Sequence, residues 1–391
     1  MAALAASFAV FACNAQPASP SLSVGFGVDT LETDVGAIVR LVRSYLARPD
    51  TSAAARAHWS TANALDARSG DLARFYAYQG FPVTIAGVVS AAPGDSVYIV
   101  KLLHARADAK QVVRPLAMQR LYAVKTLGAP HGWLLSNALP RLTAGWATHV
   151  AEPVTFHYAP GQQRDTLRAR RTVQFIDSVS TMFGVVRPTH IDYYVTQSPD
   201  EYHRALGLDF FVLPSGRGTA TGGNAMTQAN ILLSGDPAQG EAYLHEVVHL
   251  MLRDGFGGGA MLGEGIPTWL AGSKGRDKVA LARVLADYQR KRPGTTLRAL
   301  ISGEVSDGWT NAETDALYAS GALYVESVFR RGGLAALRRL AGTPGDPPAL
   351  TRAMQRSLGL ADGDEAGLER WWRVAPALLV HAPPVGPPAR R

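Results

Sequence analysis

The chain has 391 residues, enough for two or three domains at about 150 residues each. Its composition, with 47% hydrophobic and 18% charged residues, excludes a disordered chain. Its net charge is +7, but the sequence has no cluster of basic and aromatic residues of the kind that binds nucleic acid. The single cysteine, Cys13, excludes a disulfide framework and a thiolate zinc site, and no apolar run reaches the roughly 18 residues that span a bilayer.

Residues 1–20 have the composition of an export signal. A short run of Ala, Leu, Phe and Val ends at Ala12, and small residues follow it. Two processing routes remain open, namely cleavage after Ala15 or a lipoprotein signal in which Cys13 is acylated. An ordinary flexible N-terminus is the alternative. We therefore expect an exported protein, periplasmic or extracellular, with a lipid on Cys13 as the one route to membrane attachment.

Residues 25–150 are predicted to form an α+β accessory domain. The apolar residues of Asp29–Arg48 recur with a helical period, and a series of short β-rich segments follows between turn signals. The layout resembles the NTF2-like fold, in which a helix packs on an antiparallel sheet. His58, His104 and His131 in this part are expected to be structural or exposed. The predicted strands are Val83–Val89, Val97–Leu103, Gln119–Thr126 and Trp133–Ser136.

Residues 151–374 are predicted to form a second α+β domain, which starts with alternating strands and helices and ends in a helical part. A proline-rich segment, 375–391, is expected to be a flexible tail. A short helix should begin after the cap residue Ser198. The other predicted elements before residue 236 are the strands Val154–Tyr158, Ile191–Val195 and Ala229–Leu233 and the helix Arg164–Phe183.

A helix is predicted from Asp236 to Gly255, around the sequence HEVVH. Asp236 suits the N-cap, Pro237 suits the first helical position, and Gly255 suits a left-handed stop. Apolar residues flank the polar residues of HEVVH on both sides. This arrangement argues against a simple solvated helix face.

The H-E-x-x-H pattern indicates a metal site. His245 and His249 lie four residues apart on one helix face, so both imidazoles can reach one ion at about 2.0–2.1 Å. Glu246 is offset from His245 by about 100° around the helix. That offset suits a carboxylate beside a metal-activated water and not a metal ligand. Two unrelated histidines on one helix are the alternative.

A third ligand is expected from the next helix, predicted over 261–272 and antiparallel to the first, with Glu264 near its start. HExxH followed by E-G-x-x-x-[aromatic]-L-A, here EGIPTWLA, resembles the gluzincin metallopeptidases, particularly the compact peptidase MA-like group. The resemblance implies one Zn²⁺ per chain, with His245, His249 and Glu264 as ligands and Glu246 as general base.

The resemblance also implies a tyrosine that hydrogen-bonds the developing oxyanion. The sequence LYASGALY at 317–324 is similar to the Y-x-x-G-A segment of gluzincin aminopeptidases, which assigns this role to Tyr318. A tyrosine on an amphipathic helix is often a core residue, and we expect this of Tyr324. Thr268, one turn after Glu264, is predicted either to support a metal ligand or only to pack.

The chain departs from the aminopeptidases at their G-x-M-E-N motif. Its nearest segment, NAMTQ at 224–228, has Thr227 where the amine-binding glutamate would stand. We therefore expect a peptide or protein substrate and favour an endopeptidase over an aminopeptidase, with an unknown specificity as the alternative. The strand Ala229–Leu233 is expected to be the sheet edge that pairs with an extended substrate.

Two other functions remain open at this stage. One is a zinc hydrolase that acts on a bond other than a peptide bond. The other is a non-catalytic cell-envelope protein with a degenerate or structural metal site, in which residues 25–150 bind a ligand. The sequence leaves the oligomeric state open.

Overall fold

The computed structural model describes residues 22–48, 53–72, 82–91, 94, 96–107, 113–212, 222–253, 259–303, 311–340, 342–343 and 345–380. These residues form an α+β protein, as predicted, with two sheets and a helical C-terminal part. The predicted signal and Cys13 lie outside the described residues. Within the described part, no helix combines the length and the apolar character needed to cross a bilayer.

The elements are numbered in chain order. The strands are β1 Leu22–Val24, β2 Val83–Ser90, β3 Val97–Ala107, β4 Val113–Lys125, β5 Trp133–Ser136, β6 Ala147–Ala151, β7 Val154–Tyr158, β8 Ile191–Val195, β9 Leu208–Phe211, β10 Gly223–Met226 and β11 Ile231–Ser234. The helices are α1 Thr33–Leu46, α2 Ala53–Arg56, α3 Ala64–Ser69, α4 Leu139–Leu142, α5 Thr166–Phe183, α6 Pro199–Ala205, α7 Leu244–Leu252, α8 Gly259–Ala271, α9 Lys278–Lys291, α10 Leu297–Ser302, α11 Asn311–Arg338, α12 Pro347–Ser357 and α13 Glu365–Val380.

The first sheet has the order β1-β2-β3-β4-β5, parallel between β1 and β2 and antiparallel elsewhere. Helix α1 begins where the Glu32 carboxylate accepts the backbone N–H groups of Asp34 and Val35, so it starts later than predicted. Its apolar face, with Ile38 and Leu41 fully buried, shares a core with the sheet. The helix followed by an antiparallel meander is confirmed.

The second sheet has the order β10-β11-β8-β7-β6, with β8 parallel to both of its neighbours. The prediction that Ala229–Leu233 forms the sheet edge is wrong, because β11 lies between β10 and β8. Ala229 belongs to a short 3₁₀ turn, and Asn230 takes a left-handed conformation that delays the strand to Ile231. The edge is β10, which the sequence analysis did not predict to be a strand.

Residues on both sides of position 150 share structure. Strand β9, which follows position 150 in the chain, pairs with β4 and so belongs to the first sheet. One buried cluster also joins Leu72 and Leu139 to Tyr202, Leu206 and Ile231. The residues before and after position 150 therefore stabilise each other through backbone hydrogen bonds and apolar burial.

The C-terminal part is helical, as predicted, and packs against the second sheet through one large core. Trp372 of α13 is fully buried there, and its indole N–H donates to Ser320 Oγ of α11 at 2.8 Å. Helix α13 passes through Ala375, where the flexible tail was predicted to begin, and continues to Val380. Ala375 is fully buried, which explains why the helix does not end there.

Candidate metal centre

Helix α7 carries HEVVH but begins at Leu244, so the prediction that a helix begins after Asp236 is wrong. Asp236 caps only a local turn, in which it accepts the backbone N–H of Ala238. Tertiary hydrogen bonds replace helical ones before Leu244. The Tyr193 hydroxyl donates to the Gly240 carbonyl and accepts the Tyr243 N–H, and the Thr172 hydroxyl donates to the Glu241 carbonyl.

The other end of α7 also differs from the prediction. The helix ends at Leu252, and Arg253 takes the positive φ of 43° that was expected of Gly255. The Arg253 backbone N–H donates to the His249 carbonyl, and its side chain contacts Asn230. Gly255 lies outside the described residues. The short helix still places both histidines on one face.

Helix α8 brings Glu264 to the two histidines, as predicted. Glu264 Oε2 lies 3.1 Å from His245 Nε2 and 3.3 Å from His249 Nε2, and the two Nε2 atoms are 3.2 Å apart. Ligands at about 2.1 Å in tetrahedral geometry would be separated by about 3.4 Å. The three atoms therefore form a triangle of the size expected for three ligands of one metal ion. They form a group that could hold a metal.

A backbone group fixes the orientation of His245. Its Nδ1 is 2.8 Å from the carbonyl oxygen of Gly272, directly after α8, so Nδ1–H donates and Nε2 faces the cluster. The His245 and Glu264 side chains are 7% and 8% exposed, while that of His249 is 22% exposed. The cluster is thus closed on the His245 side and opens toward solvent at His249.

The charges in the cluster are strongly coupled. Burial alone would raise the pKa of Glu264, but His249 and His245 hold it well below its usual range. Burial alone would lower the pKa of His249, but the carboxylates of Glu264 and Glu246 raise it to about 9. Two imidazole nitrogens 3.2 Å apart can share one proton or bind one cation. A divalent cation satisfies both nitrogens and the carboxylate at once.

Glu246 lies on the same helix without being part of the ligand triangle. Burial raises its pKa, and the nearby His249 and His245 oppose this rise. The Ala225 backbone N–H on β10 also lowers its pKa. Glu246 therefore lies where α7 packs against the edge strand. A carboxyl group with a raised pKa next to the ligands has the properties of a general base.

Tyr318 of α11 also reaches the cluster. Its ring lies parallel to that of His245, with centroids 5.9 Å apart. Burial first, and then the Glu264 carboxylate, raise the pKa of Tyr318 well above its ordinary value. The phenol therefore keeps its proton and is a hydrogen-bond donor at neutral pH. The structure brings this predicted residue to the site.

The approach of Tyr318 depends on two glycines where α8 crosses α11. A Cβ atom built on Gly265 would lie 2.6 Å from the Gly321 carbonyl carbon, and one built on Gly321 would lie 2.7 Å from the Gly265 Cα atom. No side chain fits between backbones this close. Glu264 is the residue directly before Gly265, and Tyr318 lies one helical turn before Gly321. The glycine contact therefore sets the distance between the two functional side chains.

Two other predicted residues have no part in the cluster. Tyr324 is fully buried and its hydroxyl pairs with Ser357 Oγ at 2.8 Å, as expected of a core residue. Thr268 is fully buried, and its Oγ1 has no hydrogen-bond partner among the described residues, so it does not support a ligand. The Gly272 carbonyl was not predicted from the sequence, because it is a backbone group and no side-chain motif reveals it.

Other histidines have local partners. His58 Nε2 is 2.8 Å from Ser44 Oγ, His104 Nε2 is 3.1 Å from Gln119 Oε1, and His131 is exposed. His157 and His190 both contact Asp192, at 2.8 Å and 3.0 Å. The prediction that His58, His104 and His131 are structural or exposed is in line with these contacts.

Comparison with known proteins adds no assignment. No protein-family model matches this chain, and no curated protein is significantly similar to it. The case for a function therefore depends on the chemistry of the cluster.

Proposed function

We propose that this protein is a zinc-dependent metallopeptidase that cleaves internal peptide bonds. The observation that carries the proposal is the triangle of His245 Nε2, His249 Nε2 and Glu264 Oε2, with sides of 3.1–3.3 Å, next to Glu246. Three protein ligands with a neighbouring carboxylate and an open side toward solvent are typical of catalytic zinc sites. Structural zinc sites are closed by a fourth protein ligand.

The proposed mechanism is hydrolysis with general-base catalysis. A bound zinc ion would supply a Lewis acid that polarises the scissile carbonyl and makes a water molecule acidic at neutral pH. Glu246 takes a proton from this water as its oxygen attacks the carbonyl carbon, and then delivers the proton to the nitrogen of the leaving amine. The Tyr318 hydroxyl donates a hydrogen bond to the carbonyl oxygen as negative charge develops there.

The edge strand supports an extended peptide as the substrate. Strand β10 pairs on one side with β11 and has no second strand neighbour among the described residues. Because β10 packs against α7, which carries Glu246, a peptide paired with this edge would pass near the general base. A free amino terminus would find no carboxylate at Thr227. We therefore assign the protein to the endopeptidases.

The test uses the full chain, purified without a histidine tag and loaded with one equivalent of zinc. An unfolded protein is the substrate, together with peptides blocked at both ends, and mass spectrometry locates the cleaved bonds. Glu246→Gln should lower the cleavage rate by a factor of about 10²–10⁴, the usual contribution of a general base, and should still bind zinc. Glu365→Gln, which alters an exposed ion pair with Arg298, is the matched control.

Three results would contradict the proposal. Full activity of Glu246→Gln would exclude this residue as the general base. Zinc binding without cleavage of any peptide would favour a hydrolase for another bond or a non-catalytic protein. Absence of zinc binding in the wild-type chain would exclude the metallopeptidase altogether.

A further inference from the structure

We propose that Asp315 is a positioning residue for the metal centre, which it controls through the turn Gly272–Arg276. The inference rests on the proposed function, because it explains how the His245 ligand is held for zinc. Asp315 does not contact any of the three ligands. It acts through the backbone carbonyl of Gly272, the hydrogen-bond partner of His245 Nδ1.

The turn after α8 is short and closed by its own backbone. Ser273 N–H donates to the Arg276 carbonyl at 3.0 Å, and Arg276 N–H donates to the Ser273 carbonyl at 2.9 Å. Lys274 and Gly275, between them, have φ values of 51° and 73°. Two consecutive positive φ angles are the signature of a type I′ turn. A lysine at the first position is strained, so an external contact is needed to hold it.

Asp315 of α11 provides that contact. Its Oδ1 lies 2.7 Å from Arg276 Nη2 and 3.1 Å from Lys274 Nζ, and its side chain is 14% exposed. Burial alone would raise the pKa of Asp315, but the two cations lower it, so the carboxylate is ionised at neutral pH. One carboxylate thus pairs with both cations of the turn. Partly buried charge pairs of this kind are stronger than the exposed pairs at the surface.

The contact joins the two sides of the metal centre. Gly272, at the start of the turn, fixes the His245 ring, and its own N–H donates to the Thr268 carbonyl at the end of α8. Asp315 lies one helical turn before Tyr318, whose ring packs on His245. The same ion pair therefore holds the backbone behind His245 and the helix that carries Tyr318. Loss of the pair should loosen the His245 ligand first.

The experiment compares Asp315→Asn with Asp362→Asn, which removes the charge of an exposed carboxylate paired with Arg356. Two properties are measured on the full chain. One is the zinc dissociation constant, obtained by competition with a chromogenic chelator. The other is the solvent exchange of the His245 Nδ1 proton, followed by NMR of histidine-labelled, metal-free protein.

Asp315→Asn should raise the zinc dissociation constant about 10–100-fold, the usual effect of losing the group that orients a ligand, and should speed exchange of the Nδ1 proton. Asp315→Glu should restore much of the zinc affinity and of the slow proton exchange. Asp362→Asn should change neither the zinc dissociation constant nor the exchange rate by more than about twofold. The double substitution of Lys274→Gln with Arg276→Gln should reproduce the effect of Asp315→Asn without adding to it. It also serves as the test if Asp315→Asn does not fold.

Unchanged zinc affinity and unchanged proton exchange in a folded Asp315→Asn chain would overturn the inference. Full additivity of the substitutions on the two sides of the ion pair would overturn it as well. If the wild-type chain binds no zinc, the proposed function fails, but the proton exchange still decides whether Asp315 orients His245. If zinc binds and no peptide is cleaved, the zinc measurement decides it.

Discussion

Two buried polar clusters of this molecule differ in how their polar atoms are satisfied. In the first segment, Asp66 is 1% exposed and accepts four hydrogen bonds, from Ser136 Oγ, the Asn137 backbone N–H, Asn137 Nδ2 and Asn63 Nδ2. In the second cluster, the His245, His249 and Glu264 side chains point their ligand atoms at one another.

The difference separates a structural role from a chemical one. Every contact of Asp66 joins an acceptor to a donor, so the protein alone completes the cluster. The histidine cluster instead places two nitrogens 3.2 Å apart beside an ionised carboxylate. Both clusters are polar and largely buried, and the direction of the lone pairs distinguishes them.

The largest expected effect is the response of stability to zinc. Free zinc at a thousandfold excess over its dissociation constant should stabilise the wild-type chain by about 4 kcal/mol. His249→Ala should lose this gain, because only two of the three ligands remain. It should also lower the metal-free stability, because the buried Glu264 carboxylate loses a positively charged partner. Chemical denaturation with and without zinc measures both. Stabilisation of His249→Ala by zinc to the wild-type extent would show that the cluster is not the binding site.

Asp66→Ala should show the opposite behaviour. It leaves the buried donors of Ser136, Asn137 and Asn63 without their acceptor and should lower the free energy of unfolding by about 3 kcal/mol. Zinc affinity should stay unchanged. Asp287→Ala, which removes an exposed carboxylate, is the control and should cost less than about 1 kcal/mol. A loss of zinc affinity in folded Asp66→Ala would mean that the two clusters are coupled.

The side chains of the centre were readily predicted from sequence, because H-E-x-x-H and the later glutamate have fixed spacings on two helices. The surrounding structure was not. The start of α7 depends on the hydroxyl groups of Tyr193 and Thr172, which are distant in sequence from Leu244. The edge strand β10 is four residues long and contains a glycine and an asparagine, so its propensity gives no strand signal.

The fold was predicted well where the periodicity was local. Helix α1 and strands β2 to β5 appeared at or near their predicted positions because apolar alternation and turn residues mark them. Strand β9 was missed, since its pairing with β4 joins residues about ninety positions apart, as in the pair Met118 and Phe210. Long-range pairing of a short strand depends on tertiary packing, which a sequence window does not contain.

The contact between α8 and α11 gives an effect of intermediate size. Gly321→Ala places a methyl group against the backbone of Gly265 and should destabilise the chain by about 2 kcal/mol. The helices must move apart, so Tyr318 should retreat and the cleavage rate should fall more than the zinc affinity does. Gly294→Ala is the control, because a Cβ there meets nothing within 4 Å. Equal cleavage rates of the two variants would show that the crossing does not position Tyr318.

The smallest effect concerns a buried group that avoids charge altogether. His203 is 3% exposed between the rings of Tyr202 and Phe211, and burial lowers its pKa to about 4, with Asp200 opposing this. In the unfolded chain the His203 ring is protonated near pH 6.5, while in the folded chain it stays neutral until about pH 4.

The unfolded state therefore binds the extra proton as the pH falls, and stability is lost between these two values. From pH 7 to pH 5.5 the loss should be about 1 kcal/mol. His203→Phe should remove this share of the pH dependence, and His131→Asn, at an exposed position with a φ of 61°, should retain it. Denaturation curves over this range measure the difference. Identical pH dependence in His203→Phe and wild type would mean that His203 does not bury a neutral ring.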